Sequence, residues 1–174
     1  LSNLGIGDLE CEYISKHKEF NNLNHLYLEL NNITEKGVQT LTESEFLKSV
    51  TLLSLDRNKI GDTGIQFIVE SENFKNLTHL MIEHNNISDE GLKFIASSGN
   101  MSNLLRVYID GNSYTDEGYN ALGDSEFLEQ LEYPEFEREE AIEEIEEEEE
   151  EFDEVEIEDV DEEELLDDDE WLFK

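Results

Sequence analysis

Apolar and polar positions along the chain recur with a fixed step of 27 residues. Asn31, Asn58, Asn85 and Asn112 keep that step, as do Gly37, Gly64, Gly91 and Gly118. Ser44, Ser71, Ser98 and Ser125 form a third column, and Leu41, Ile68, Ile95 and Leu122 a fourth. Such agreement excludes chance and means that one supersecondary unit has been copied along the chain. Around each Asn the apolar residues fall in the order L-x-x-L-x-L-x-x-N-x-I. The first copy is Leu23, Leu26, Leu28, Asn31 and Ile33, and the second Val50, Leu53, Leu55, Asn58 and Ile60. The third is Leu77, Leu80, Ile82, Asn85 and Ile87, and the fourth Leu104, Val107, Ile109, Asn112 and Tyr114. The period-2 part predicts a short strand, with the Asn side chain satisfying backbone groups where the chain leaves the sheet. Thr34, Ser88 and Thr115 are then N-cap residue types, and Glu35, Asp62, Asp89 and Asp116 fall in a first helical turn, where the helix dipole favours acids. Apolar residues follow at helical spacing, for example Ile65 and Ile68 with Phe74 further on. Each unit reads as strand, turn, helix and return. The glycine column reads as close helix packing near the turn and not as a ligand loop.

This pattern resembles the leucine-rich repeat. A 27-residue unit with a helix in each copy is most similar to the ribonuclease-inhibitor-like subclass, over roughly residues 1–140. The resemblance implies an α/β solenoid, with a curved parallel sheet on the concave side and helices on the convex side. The expected organisation is a partial repeat at 1–22, four full repeats at 23–130, a terminal strand or cap at 131–140, and an acidic low-complexity tail at 141–174. Counting back 27 from Ile33 and Leu28 reaches Ile6 and Leu1, and Leu4 stands where Asn belongs. The expectation is therefore an amino-terminal truncation that leaves the sheet edge at Leu23–Leu30 unprotected. At the other end Leu131, Pro134 and Phe136 fall in the next strand's leucine columns, and Pro134 suits an edge because it has no N–H to donate.

Charge separates the chain into two parts. Residues 1–131 hold 21 acids and 9 bases, whereas residues 132–174 hold 26 acids and 2 bases. The net charge of −36 argues against direct binding to nucleic acid or to an anionic membrane surface. No apolar run reaches the ~18 residues of a membrane span and no basic-then-apolar leader opens the sequence, so neither nucleic acid nor membrane is an expected partner. The tail, with Glu146 to Glu151 unbroken, has the self-repelling composition of a mostly disordered segment. Ala141, Ile142 and Ile145 could extend a capping helix, Val155, Ile157 and Val160 give a weak strand signal, and Trp171, Leu172 and Phe173 resemble a short linear anchor.

Side chains alternate across a strand, so if Leu26 and Leu28 point inward, His25, Tyr27 and Glu29 line the concave surface. The matching sets are Leu52, Ser54 and Asp56, then His79, Met81 and Glu83, then Arg106, Tyr108 and Asp110. Glu29, Asp56, Glu83 and Asp110 form one acidic column. At roughly 5 Å two such charges repel by about 0.8 kcal/mol even in water, so stacking them opposes folding mildly. A basic partner would relieve that repulsion, with Tyr27, Met81 and Tyr108 as adjoining contacts. A generally acidic surface copied by duplication would look the same. His25, His79 and Arg106 beside the column could neutralise part of it. Metal binding by His25 with Glu29, His79 with Glu83, or His84 is disfavoured, because residues four apart in a strand are roughly 13 Å apart. Cys11 aligns with Val38, Ile65 and Leu92, which marks a small buried hydrophobe and not a nucleophile.

No nucleophile elbow, phosphate-cradling glycine loop or zinc-protease helix motif occurs, so neither catalysis nor a cofactor is expected. The leading expectation is a non-enzymatic interaction module whose concave face binds a basic protein or peptide, placed in the cytoplasm, with nuclear and extracellular locations left open. A repeat array before an acidic tail is also similar to Ran GTPase-activating proteins. Their catalytic contribution comes from loops in amino-terminal repeats that this chain opens too late to show, so no catalytic role carries over. The T-D-E-G of Thr115–Gly118 and the S-x-x-L of Ser125–Leu128 are similar to uncharacterised bacterial leucine-rich-repeat arrays. Acidic leucine-rich nuclear proteins share the tail, though their repeats are shorter, and a histone-chaperone-like role is the third reading.

Overall fold

The computed structural model describes residues 1–134. Within them five helices, α1 (Asp8–Lys16), α2 (Glu35–Thr42), α3 (Gly61–Glu70), α4 (Asp89–Ala96) and α5 (Asp116–Gly123), alternate with four strands. The strands are β1 (His25–Tyr27), β2 (Leu52–Ser54), β3 (His79–Met81) and β4 (Arg106–Tyr108), paired in parallel in the order β1-β2-β3-β4. The return after each of α1 to α4 is a single 3-10 turn, as at Glu45–Leu47 and Glu72–Phe74, and the second of these buries Phe74. Register follows the period: Leu26 lies opposite Leu53, Leu53 opposite Leu80, and Leu80 opposite Val107. These residues, with Leu28, Leu55, Ile82 and Ile109, fill the space between sheet and helices. Each helix packs on the next in sequence, so the described array is the expected α/β solenoid.

Polar side chains fasten one rung to the next. Asn58 Nδ2 donates to Leu55 O on its own rung at 2.8 Å and to Leu28 O on the rung before at 3.0 Å, and its Oδ1 accepts from Ile33 N at 2.9 Å. Asn31 Nδ2 donates to the same Leu28 O at 2.9 Å, so the two asparagines meet at one carbonyl. Asn85 and Asn112 repeat the arrangement toward Leu55 O and Ile82 O. These groups are buried, and orphaning one costs about 1–3 kcal/mol. The serine column works at the other end of the unit. Ser44, Ser71 and Ser98 donate to Ser15 O, Thr42 O and Val69 O at 2.7, 2.8 and 2.9 Å, satisfying carbonyls in the last two residues of the preceding unit's helix.

The helix starts carry a second inter-rung device. Thr34, Ser88 and Thr115 are N-caps, as their types indicate. Each is itself gripped by an Asp in the first turn of the preceding helix. Asp8 accepts from Thr34 N, Thr34 Oγ1 and Gly37 N, Asp62 from Ser88 N and Oγ, and Asp89 from Thr115 N, Thr115 Oγ1 and Gly118 N. The same carboxylates require three of the four column glycines: a Cβ on Gly37 would meet Asp8 Oδ1 at 2.6 Å, one on Gly91 Asp62 Oδ1 at 2.5 Å and one on Gly118 Asp89 Oδ1 at 2.5 Å, whereas at Gly64 it would meet Ile60 Cβ at 2.8 Å. Between α2 and α3 the device is absent. Glu35 replaces the Asp, Gly61 replaces the capping hydroxyl with φ +57°, and α3 starts without a side-chain cap.

The residue before each ladder Asn adopts a left-handed backbone. Leu30, Arg57, His84 and Gly111 have φ of 59°, 55°, 52° and 71°, and Asn3 continues the column at 56°. The turn out of the strand demands this conformation whatever residue occupies it, at a cost of roughly 1–2 kcal/mol for a bulky side chain.

Both ends modify the expectations. Leu1 to Ile6 run beside the lower part of the first full rung: Asn3 N donates to Glu29 O, Asn32 N to Ile6 O, and Leu4 N and Ile6 N to Asn31 Oδ1. The expected open edge at Leu23–Leu30 is thus covered from Glu29 onward, while among the described residues β1 itself keeps a free side. At the carboxyl end the pairing falls on Tyr133, which bridges Arg106 in parallel and accepts from Val107 N at 2.8 Å, and Pro134 beside it is buried. Phe136 and the tail at 141–174 lie outside the described residues.

Replacing Asp62 with Ala removes the grip on α4 and is expected to cost about 1–2 kcal/mol in urea unfolding, whereas Glu35→Ala, which caps no neighbouring helix, is expected to cost less than about 0.5 kcal/mol. Equal losses would show that the carboxylate relay contributes nothing.

Candidate protein-interaction surface

Register places His25, Leu52, His79 and Arg106 in one row across the sheet, and Tyr27, Ser54, Met81 and Tyr108 in the next. Glu29, Asp56, Glu83 and Asp110 follow two residues further along each chain segment. The sequence-derived set is therefore brought together on one face. Its members differ in exposure. Tyr27, Arg106 and Asp110 are exposed, while Glu29, Asp56, His79, Met81, Glu83 and Tyr108 are half-buried, and Ser54 is only 2 % accessible.

The four acids are not equivalent. The Glu29 carboxylate accepts from Ser2 Oγ at 2.5 Å and from Ser54 Oγ at 3.3 Å. Partial burial alone would raise its pKa, but these bonds and its own backbone N–H together hold it below the ordinary carboxylate value. Asp56 Oδ1 accepts from Glu83 N at 2.8 Å, and its Oδ2 accepts from Ser54 Oγ at 3.4 Å. Burial nonetheless pushes its pKa up, and the charges of Glu83 and Glu29 add to that push. The repulsion expected within the column is real, though desolvation is the larger cause. The carboxylates of Glu83 and Asp110 receive no hydrogen bond from another described residue.

Among the described residues no ion pair joins the column to His25, His79 or Arg106, the cations that could neutralise part of it. Arg106 Nη2 lies 3.4 Å from Glu132 on the following rung, and His79 Nδ1 sits 3.0 Å from the Thr78 hydroxyl. The His25 ring meets Tyr27 edge-on at 6.4 Å. Each of these side chains contacts a neighbour other than the carboxylate four residues along its own chain segment.

Tyr133 was missed by the repeat reading, because the terminal rung was aligned through its leucine columns. It stands 27 residues after Arg106, so the period itself could have located it. Its ring packs against that of Tyr108 with centroids 4.8 Å apart, tilted by 33°. Burial, with Asp110 and Glu83 contributing, pushes the Tyr133 hydroxyl up from its ordinary pKa. The carboxyl-terminal end of the face is thus aromatic and electronegative together.

Among the described residues no group of three or more His, Cys, Asp and Glu side chains converges as a metal ion would require, and no helix is long and apolar enough to cross a membrane. Cys11 is fully buried, and burial, with Asp8 and Glu10 adding to it, pushes its thiol up to about 12. It packs as a small apolar side chain in the first repeat.

Residues 21–41, 47–69 and 75–96 match the family model described as Leucine Rich repeat. Those three segments are similar to leucine-rich repeats, modules that generally mediate protein–protein interaction and are typically non-enzymatic. None of the curated proteins matches it.

Two measurements check this electrostatic picture. Asp56 binds its proton more tightly folded than unfolded, so its charge lowers stability above the ordinary carboxylate range, and the loss fades as pH falls through the raised folded value. Asp89, held low first by the backbone N–H of Thr115, contributes stability that is present at neutral pH and lost as pH falls into its depressed range. Thermal melts at neutral pH should show Asp56→Asn raising Tm and Asp89→Asn lowering it, with both differences shrinking in acid; the opposite order would contradict the assignment. The Cys11 thiol should resist a thiol-specific disulfide reagent at neutral pH until denaturant unfolds the chain, and prompt reaction in the native state would show that the first repeat opens readily.

Proposed function

We propose that the concave face binds a basic protein segment without chemistry, and that the repeats are of the ribonuclease-inhibitor-like subclass, given a 27-residue unit with an α-helix in each copy. The observation that carries the binding reading is the in-register acidic column, which among the described residues forms no ion pair with the face's own cations. Building like charges into adjacent strands opposes folding mildly, and a cationic partner removes that cost on binding. Tyr27, Met81 and Tyr108 offer the aromatic and thioether contacts enriched at interfaces. The net charge of −36 favours basic partners before contact is made, by steering encounter.

The test is titration of the full chain with a fluorescein-labelled peptide alternating Arg and Gly, followed by anisotropy. Binding should weaken by at least about tenfold between low salt and roughly 0.5 M salt, because surface charges are screened within about 4–8 Å there. Absence of binding at low salt, or affinity indifferent to salt, would overturn the proposal.

A further inference from the structure

The four acids of the concave face divide into two pairs, and the division predicts where on the face a cation is held. Glu29 and Asp56 already serve the fold. Their carboxylates accept from Ser2, from Ser54 and from the backbone of Glu83. A carboxylate has about four acceptor positions, and each one filled from within weakens its call on an outside donor. Glu83 and Asp110 stand on adjacent strands with their carboxylates receiving no hydrogen bond from another described residue. Strand spacing puts such neighbours about 5 Å apart, a separation that the fork of one guanidinium can bridge.

The surroundings of that pair differ as well. On the amino-terminal side stand Leu52, the buried Ser54 and one exposed ring, Tyr27, which the His25 ring meets edge-on and which has no second tyrosine packed on it. On the carboxyl-terminal side stand Met81, Tyr108 and Tyr133, the two rings packed together and both half-buried. Tyrosine faces attract cations, and a planar guanidinium both stacks on such a ring and bonds carboxylates in its own plane, which an ammonium does not. The resident cation Arg106 is turned to the Tyr108 hydroxyl and to Glu132, leaving the two carboxylates without an ion pair to it, and the His84 ring lies over Gly111 at the adjoining turn.

We infer that the partner of the concave face is read through an arginine side chain held by Glu83 and Asp110 against the Tyr108–Tyr133 pair, and that Glu29 and Asp56 take no direct part. This rests on the proposed basic partner and adds to it which half of the face does the reading and which cation is preferred.

Two charge-matched double variants of the full chain separate the alternatives, using the Arg–Gly peptide and its Lys–Gly counterpart as probes. Glu83→Gln with Asp110→Asn should weaken Arg-peptide binding by about tenfold or more, the effect of losing charge-assisted pairs. Glu29→Gln with Asp56→Asn, whose amide oxygens can still accept from Ser2 and from Glu83 N while an amide N–H donates to Ser54 Oγ, should change it by no more than about threefold, since only long-range charge is lost. Glu29→Gln alone serves as the comparison if the double variant fails to show a native circular dichroism melt. Tyr108→Ala should lower the preference for the Arg peptide over the Lys peptide, and Tyr108→Phe should keep it. If both charge-matched pairs weaken binding equally, or if the two peptides bind wild-type protein alike, the inference fails while the basic-partner reading stands. If neither peptide binds wild-type protein at low salt, it is the basic-partner reading itself that fails.

Discussion

A carboxamide shared between two neighbouring rungs is the constraint from which the rest of this architecture follows. Each unit ends its strand after three residues and turns sharply, which leaves carbonyls and amide N–H groups pointing into an apolar interior. An Asn side chain has two donors and one acceptor oxygen, the smallest group able to serve both the turn it belongs to and the rung beside it. Because Asn31 and Asn58 both reach Leu28 O, the rungs have to stack in register. Register in turn puts identical positions of the repeat next to one another. The continuous core and the rows on the concave face are consequences of that one bond pattern.

Much of this was legible in the sequence, for a physical reason. A residue that must bury the same surface or satisfy the same groups in every unit recurs at the period, so Asn, Gly, Ser and Leu columns announced the fold. Other features share the period and were nonetheless missed. Leu30, Arg57 and His84 occupy the same left-handed position, but nothing in their side-chain chemistry advertises a positive φ, and only Asn3 and Gly111 in that column are types that favour it. The acids in the first helical turn were read as dipole partners. Their reach to the next helix start, 26 and 29 residues on, requires knowing how far apart the helices sit.

The concave face was legible as a set of positions and illegible as a set of roles. Alternation along the strands named every residue on it. It did not reveal that Ser54 is buried between two carboxylates, that Ser2 folds back onto Glu29, or that Arg106 turns toward Glu132. A column of like charges on a repeat protein is thus not one patch. Two of its members are absorbed by the scaffold, and the remaining two lie beside the packed rings of Tyr108 and Tyr133.

The polar fastenings between rungs span only 24 to 31 residues of chain, and each joins a unit to the one made immediately before it. A chain leaving the ribosome amino end first can therefore lock every newly emerged turn onto a finished surface, with no need to wait for distant segments. Its growth resembles the elongation of a filament more than the collapse of a globule.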